Sequence, residues 1–203
     1  MFTSNCHPPI PPEPWLSRRP DLWLHDILHR TSTGGVRAGC DAQLLAMAIT
    51  AGLIRATSYR IPLPHEFDLV NLPPAHGNEG EPHRRLRNLG LALARAIDPQ
   101  SRVDEECRAP LRNSSALLDI YSETQFGRIA IELGARDGRS ILPILDLAAD
   151  HILILPFAGW EPHSFSGWWF HYPHVRKLPA VSTESMTTAI ERMMVPAPLN
   201  SAF

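Results

Sequence analysis

The sequence has little cysteine, a single lysine and no long apolar run. Its three cysteines, Cys6, Cys40 and Cys107, are widely spaced and form no CxxC pair. This pattern argues against a disulfide framework and favours a reducing, cytoplasmic location. Lys177 is the only lysine among the 19 basic residues. A mechanism that needs a lysine therefore has one candidate along the whole chain.

Further absences narrow the class of protein. No apolar run approaches the length of a membrane span, and the proline-rich N-terminus lacks the apolar centre of a signal peptide. No GxGxxG or GxxxxGK[ST] motif indicates a nucleotide site, and no GxSxG motif indicates a serine hydrolase. The formal charge of −2 gives no overall basic character, so contact with nucleic acid would require a local basic surface. We expect a soluble cytoplasmic protein with no membrane contact.

The composition is that of a globular protein, with 44% hydrophobic and 20% charged residues. We predict a proline-rich arm over residues 1–20 and a single α/β domain over 21–203. Within that domain we distinguish a helical extension (21–70), a core (81–157) and an aromatic-rich C-terminal segment (158–203). The predicted fold is a mixed central sheet flanked by helices.

Hydrophobic periodicity places the elements of this domain. Pro143 is expected in the first turn of its helix, where a missing N–H is harmless. The predicted helices are Glu81–Ile97, Ile141–Ala149 and Thr183–Met194; the predicted strands are Ser101–Ala109, Ala116–Tyr121, Arg128–Leu133, His151–Phe157 and Gly167–His171, with an edge strand within Thr57–Val70.

Two acids lie inside neighbouring apolar strands, Asp119 in ALLDIY and Glu132 in RIAIEL. A carboxylate in a buried strand is costly unless it is paired or bound to a cation. Two carboxylates meeting at one edge of a sheet would make a hard oxygen site suited to Mg²⁺. The alternative is structural, with each carboxylate pairing with an arginine or capping a turn.

The order of elements from Glu81 is helix, strand, strand with Asp119, strand with Glu132, helix and strand. This order resembles the core of the PD-(D/E)XK restriction-endonuclease-like superfamily. The resemblance covers about residues 81 to 157. It maps Leu118-Asp119 onto the PD element and Glu132-Leu133-Gly134, which begins 13 residues after Asp119, onto the D/E-x-K tripeptide. It implies a restriction-endonuclease-like core and hydrolysis of DNA phosphodiester bonds.

The resemblance implies one Mg²⁺ or Mn²⁺ held by Asp119 and Glu132, together with the carbonyl of Leu133. The metal would lower the pKa of a bound water and neutralise charge on the scissile phosphate. Gly134 stands where the family has lysine, and Arg136 completes the implied catalytic set of Asp119, Glu132 and Arg136. Arginine keeps its proton near neutral pH, so it would clamp a phosphate and would not act as a base.

A third carboxylate could come from the preceding strand or from the head of the helix. Glu106 is the candidate metal ligand on the strand, and Glu81 is the alternative. Glu105 and Glu106 are adjacent, so we expect only one of them to face the site.

A local basic patch and an aromatic segment are the candidate binding surfaces. The arginines expected to follow a phosphate backbone are Arg84, Arg85, Arg87, Arg112 and Arg139; we expect those on the Glu81–Ile97 helix to face largely outward. The segment Trp160–Tyr172 could stack on bases, but it more often covers a core edge or forms a protein or homo-oligomer interface.

These observations lead to three hypotheses. The first is a metal-dependent DNA endonuclease. The second is a catalytically inactive protein of the same fold that binds nucleic acid or a protein partner within a larger complex. The third is an α/β protein unrelated to nucleases that binds a partner through the Trp160–Tyr172 segment.

Overall fold

The computed structural model describes residues 45, 48, 49, 51–70, 72, 74–77, 79–111, 114–134 and 138–194. The arm predicted over 1–20 and most of the helical extension predicted over 21–70 lie outside the described residues. The described part of the chain forms a seven-stranded mixed sheet with helices packed on both faces. The predicted α/β class with a mixed central sheet is confirmed.

The elements follow one another along the chain with short connections. The strands are β1 (Arg55–Pro62), β2 (Arg102–Leu111), β3 (Ser114–Thr124), β4 (Gly127–Leu133), β5 (His151–Leu155), β6 (Trp160–Glu161) and β7 (Ser164–His171). The helices are α1 (Glu81–Ile97), α2 (Gly138–Leu147) and α3 (Thr183–Met194), with short 3-10 helices at His65–Leu69 and Phe157–Gly159.

The strand order in the sheet is β1-β7-β5-β4-β3-β2, and β6 forms a small hairpin with β7. Strands β2, β3 and β4 form an antiparallel meander, whereas β4 and β5 run parallel and are joined by α2. Strand β7 is antiparallel to both of its neighbours, β1 and β5. The order predicted from Glu81 is therefore present as α1-β2-β3-β4-α2-β5.

Helix α2 begins earlier than predicted. It was expected at Ile141–Ala149 with Pro143 in its first turn, but it spans Gly138–Leu147 and contains Pro143 in its interior. An internal proline removes one backbone hydrogen bond and costs about 3 kcal/mol. Ile141 and Ile144 are both 0% exposed against the sheet, and their burial offsets that cost.

The edge strand is shorter than the segment Thr57–Val70 in which it was predicted. It ends at Pro62, and after Pro64 the chain enters the 3-10 helix His65–Leu69. Proline has no N–H to donate to a strand ladder, which explains the early end.

Both faces of the sheet are covered. Gly90 of α1 allows a close approach to the sheet, because a Cβ there would lie 2.6 Å from Cδ1 of Ile120. The first face packs against α1 and α3 through Leu86, Leu89, Ile120, Ile131, Leu153, Phe165 and Ile190. The second face packs against α2 and the helical residues Leu45 and Ile49 through Leu118, Ala130, Ile144, Ile152, Ile154, Trp168 and Phe170.

No helix among the described residues is both long and apolar enough to cross a membrane.

Candidate functional site

The predicted acids lie in one row across three strands. Pairing between β3 and β4 ends at Ile120 with Ile131, and the next positions in that register are Asp119 and Glu132. On β2, Glu106 lies opposite Asp119, between two paired positions. The backbone thus aligns the three residues that the sequence nominated as metal ligands.

The Asp119 carboxylate serves the backbone at the end of the β3–β4 ladder. Its Oδ2 accepts a hydrogen bond from the Leu133 N–H at 2.8 Å. The usual alternation breaks at Asp119, because Leu118 packs on the second face and Ile120 on the first. The structural alternative was that Asp119 pairs with an arginine or caps a turn; the structure instead shows one of its two oxygens bound to a backbone N–H of the neighbouring strand.

The Glu132 side chain is removed from water. The residue is 1% exposed. Its neighbour Ala130 packs on the second face, whereas Ile131 and Leu133 pack on the first, so alternation places Glu132 on the second face, which α2 covers. Glu132 is therefore buried beneath the helix side of the sheet, away from solvent.

Gly134, which the resemblance maps onto a lysine, has a backbone conformation that favours glycine. Its φ is +82°, in the left-handed region that side chains other than glycine rarely adopt. Its N–H donates to the Leu155 carbonyl at 2.7 Å. A Cβ at this position would lie 2.6 Å from Cε2 of Phe157. A lysine here would require a strained backbone and displacement of the Phe157 ring.

The two acids of β2 do not behave as strand alternation predicted. We expected only one of Glu105 and Glu106 to face a common site, but Glu106 has a φ of +49°, which breaks the alternation. Glu105 Oε2 accepts from Arg87 at 3.2 Å, and Glu106 Oε1 lies 3.1 Å from His76 Nδ1. Both acids therefore reach one cluster on the side of α1.

Arg87 is the centre of that cluster, and the expectation that it faces outward is wrong. Its side chain is 4% exposed and lies 2.9 Å from the Glu79 carboxylate, itself 6% exposed. It also donates to the Pro74 carbonyl and to His76 Nε2. We call Arg87, Glu79, Glu105 and His76 the Arg87 cluster. The charge of Arg87 therefore pairs with carboxylates inside the protein and is not available at the surface.

Hydrogen bonding and charge lower the pKa of Glu79. Burial acts to raise this pKa, but the hydrogen bond from His83 and the charge of Arg87 outweigh it, together with the backbone N–H of His76. The carboxylate thus stays ionised beside Arg87. The spacing of His83 and Arg87, four residues apart, places both on one side of α1, but Glu79 precedes the N-cap Gly80 and no helical spacing in the sequence indicates its contact with them.

The remaining arginines of the predicted patch are only partly described. Arg85 lies 3.4 Å from Asp68 Oδ1 and 5.2 Å above the Trp160 ring. Arg84 donates to the Leu72 carbonyl at 3.4 Å, and Glu81 is exposed at the start of α1. The other predicted arginines cannot be placed: Arg112 and Arg136 lie outside the described residues, and so does the side chain of Arg139.

The aromatic segment Trp160–Tyr172 is largely core. Phe165 and Phe170 are 0% exposed and Trp168 is 2% exposed. Trp169 stacks on His171 with a centroid distance of 4.0 Å and donates from Nε1 to His151 Nδ1 at 3.1 Å. The pairing of His151 with His171 across β5 and β7 was missed, because the sequence gives no sign that these strands are neighbours.

The residues present do not fit the metal site that the resemblance implies. Asp119 is partly committed to the backbone, Glu132 is sealed on the second face and Glu106 reaches His76. In the described part of the chain, no three His, Cys, Asp or Glu side chains form a group able to hold a metal ion. What the geometry does provide is the Arg87 cluster, in which a buried guanidinium faces the carboxylates of Glu79 and Glu105.

Comparison with protein-family models, with curated protein sequences and with solved structures gave no match.

Proposed function

We propose that this chain is a catalytically inactive protein with a nuclease-like order of elements, and that it acts by binding a protein partner. The observation that carries the proposal is Gly134, where a lysine would have to adopt a strained left-handed backbone and displace the Phe157 ring. In the family that this order resembles, the lysine helps to position the attacking water and to stabilise charge on the phosphate.

The carboxylates support the same proposal. A hydrolytic metal site needs oxygens that converge on an accessible point. Asp119 instead accepts from the Leu133 N–H, and Glu132 is 1% exposed. The backbone contact of Asp119 and the burial of Glu132 are what one expects of structural residues.

The arginines favour a protein partner over nucleic acid. Binding to a phosphate backbone depends on accessible positive charge. Arg87 is buried between two carboxylates, and Arg85 is engaged by Asp68 and Trp160. At the edge that carries Gly134, the exposed group is Phe157, which is 49% exposed. An exposed aromatic side chain on a rigid support is typical of a protein contact.

A metal-dependent nuclease is the second candidate. It is favoured by the α1-β2-β3-β4-α2-β5 order and by the alignment of Glu106, Asp119 and Glu132 in one row. In that case Arg136 or Arg139 would supply the positive charge that position 134 cannot.

Calorimetric titration with Mn²⁺, combined with incubation with plasmid and single-stranded DNA, separates the two candidates. The proteins would be the wild type, Asp119→Ala and Glu132→Gln. We expect that neither substitution changes any heat of Mn²⁺ binding, and that none of the three proteins cleaves DNA. Metal binding abolished by both substitutions, with cleavage lost in parallel, would establish the nuclease and overturn our proposal.

The binding role is tested with Phe157→Ser. A protein that co-purifies with the wild type would be produced pure and titrated against both forms. We expect Phe157→Ser to weaken this defined interaction at least tenfold, whereas His163→Gln, at an exposed position, should leave it unchanged. Equal affinity for all three proteins would remove Phe157 from the contact.

A further inference from the structure

Three side chains that can carry positive charge stand in one row across β5, β7 and β1. His151 of β5 pairs in register with His171 of β7, and His171 pairs in register with Arg55 of β1. The two imidazole centroids are 6.2 Å apart. This row crosses the junction between the edge strand β1 and the rest of the sheet.

Both histidines are buried, and the hydrogen bonds of His151 require its neutral form. His151 is 0% exposed and His171 is 4% exposed. A carbonyl can only accept, so His151 Nε2 donates to the Phe126 carbonyl at 3.1 Å, and its Nδ1 accepts from Trp169. His171 Nδ1 donates to the Tyr172 carbonyl at 2.8 Å. A proton added to His151 Nδ1 would break the bond from Trp169.

The surroundings disfavour a second proton on either ring. Burial lowers the pKa of His171, and the charges of Arg55 and Lys177 and the proximity of His151 lower it further, against the opposing hydrogen bond to Tyr172. Burial likewise lowers the pKa of His151, against the bond to Phe126 and the charge of Asp150.

The acid beside this row is already engaged. Asp150 is the only carboxylate among the charged groups that act on the two histidines in the described part of the chain. It accepts from the Arg128 backbone N–H at 2.8 Å and pairs with the Arg128 guanidinium at 3.1 Å. A cation formed at His171 would therefore lie in register with the cationic Arg55 on one side, and on the other with His151, whose own protonation it would oppose.

We propose that the His151–His171–Arg55 row is an acid-sensitive switch that releases the edge strand β1 from β7. Protonation of the imidazoles places like charges in adjacent register positions. Among the described strands β1 pairs only with β7, so its departure leaves the β7-β5-β4-β3-β2 ladder joined. The outcome at acid pH is an open sheet edge rather than a fully unfolded chain.

Hydrogen exchange read by mass spectrometry tests this switch. The wild type, His171→Gln and His163→Gln would be compared at pH 7.5 and pH 5.0, with rates corrected for the pH dependence of intrinsic exchange. We expect protection of peptides from β1 to fall by up to about thirtyfold for each imidazole that the release of β1 exposes, because the open state gains about tenfold for each pH unit between the ordinary histidine pKa of about 6.5 and pH 5.0. Peptides from β3 and β4 should keep their protection. His163→Gln, at an exposed position, should behave as the wild type, and His171→Gln should lose the pH dependence.

A second measurement keeps the test decisive if His171→Gln folds poorly. The imidazole resonances of the wild type would be followed by NMR from pH 7.5 to 4.5. Titration of the two buried rings in step with the loss of β1 protection supports the switch. Titration at the ordinary value without any loss of β1 protection would overturn it, and so would equal loss from β1 and β4, because that indicates global unfolding.

Discussion

At the scale of single residues, Gly134 allows the cost of a positive φ to be measured separately from the cost of overlap with Phe157. We expect Gly134→Ala to lower the free energy of unfolding by about 2–3 kcal/mol, because a positive φ costs roughly 1 kcal/mol and overlap with Phe157 costs about as much again. Gly52→Ala is the matched control, since Gly52 has a φ of +72° but no atom within 4 Å of the added Cβ. Urea denaturation measures both.

Comparison of Gly134→Ala with Gly52→Ala distinguishes backbone strain from overlap with Phe157. Gly52→Ala should lose only the smaller amount, and Phe157→Ala should recover part of the loss when it is combined with Gly134→Ala. Equal losses at Gly52 and Gly134 would show that Phe157 contributes nothing to the requirement for glycine.

Arg87 provides a second prediction at this scale. We expect Arg87→Met to lower the free energy of unfolding by about 3–5 kcal/mol, because it leaves the buried Glu79 carboxylate without its cation. Arg85→Met is the control, since the Arg85 side chain is 46% exposed and exposed ion pairs contribute about 1 kcal/mol or less. Similar losses for both variants, measured by thermal denaturation, would contradict the role given to the Arg87 cluster.

At the scale of elements, Asp150 ties the beginning of β4 to the turn before β5. The hydrogen bond and charge of Arg128 lower the pKa of Asp150, against the opposing effect of burial. A carboxylate whose pKa is lower in the folded state stabilises fully above its unfolded pKa of about 3.9, and loses that contribution as the pH falls through the folded value. Urea denaturation between pH 6 and pH 3 should show Asp150→Asn destabilised at pH 6 and progressively closer to the wild type toward pH 3.

The elements also show what a sequence can reveal. Helix α1 was predicted at its observed bounds, Glu81–Ile97, because Pro82 and the pair Asp98-Pro99 mark its two ends. Helix α2 was misplaced because tertiary burial tolerates Pro143 inside it. Local sequence signals thus locate an element well where they end a helix, as at α1. They locate it less well where tertiary packing overrides them, as at α2.

The candidate site was predicted in position but not in contacts. The row of Glu106, Asp119 and Glu132 follows from strand spacing, which is a local property. The positive φ of Glu106 and the burial of Arg87 depend on residues from α1 and from the loop before it. Such contacts between distant parts of the chain leave no periodic trace in the sequence.

At the scale of the whole molecule, our proposal of a protein partner predicts weak binding of nucleic acid. The formal charge is −2, and Arg60, Arg87 and Arg128 each contact a carboxylate of the protein itself. Fluorescence anisotropy with single- and double-stranded oligonucleotides at 50 mM salt should give dissociation constants no tighter than about 10⁻⁴ M, the weak end of non-specific binding. Micromolar affinity with a steep salt dependence would instead reveal a phosphate-binding surface.

The place of β7 in the sheet has a consequence for synthesis on the ribosome. It is the last strand of the described sheet to be made, yet it lies between β1 and β5. Its last residue, His171, pairs with Arg55 of β1. Until residue 171 has emerged, β1 has no β7 to pair with, and the edge of β5 that β7 covers is open. Pairing over such a distance is slow and leaves apolar edges open. Completion of the sheet is therefore a late event. Until then, the growing chain needs something other than β7 to shield the edge of β5.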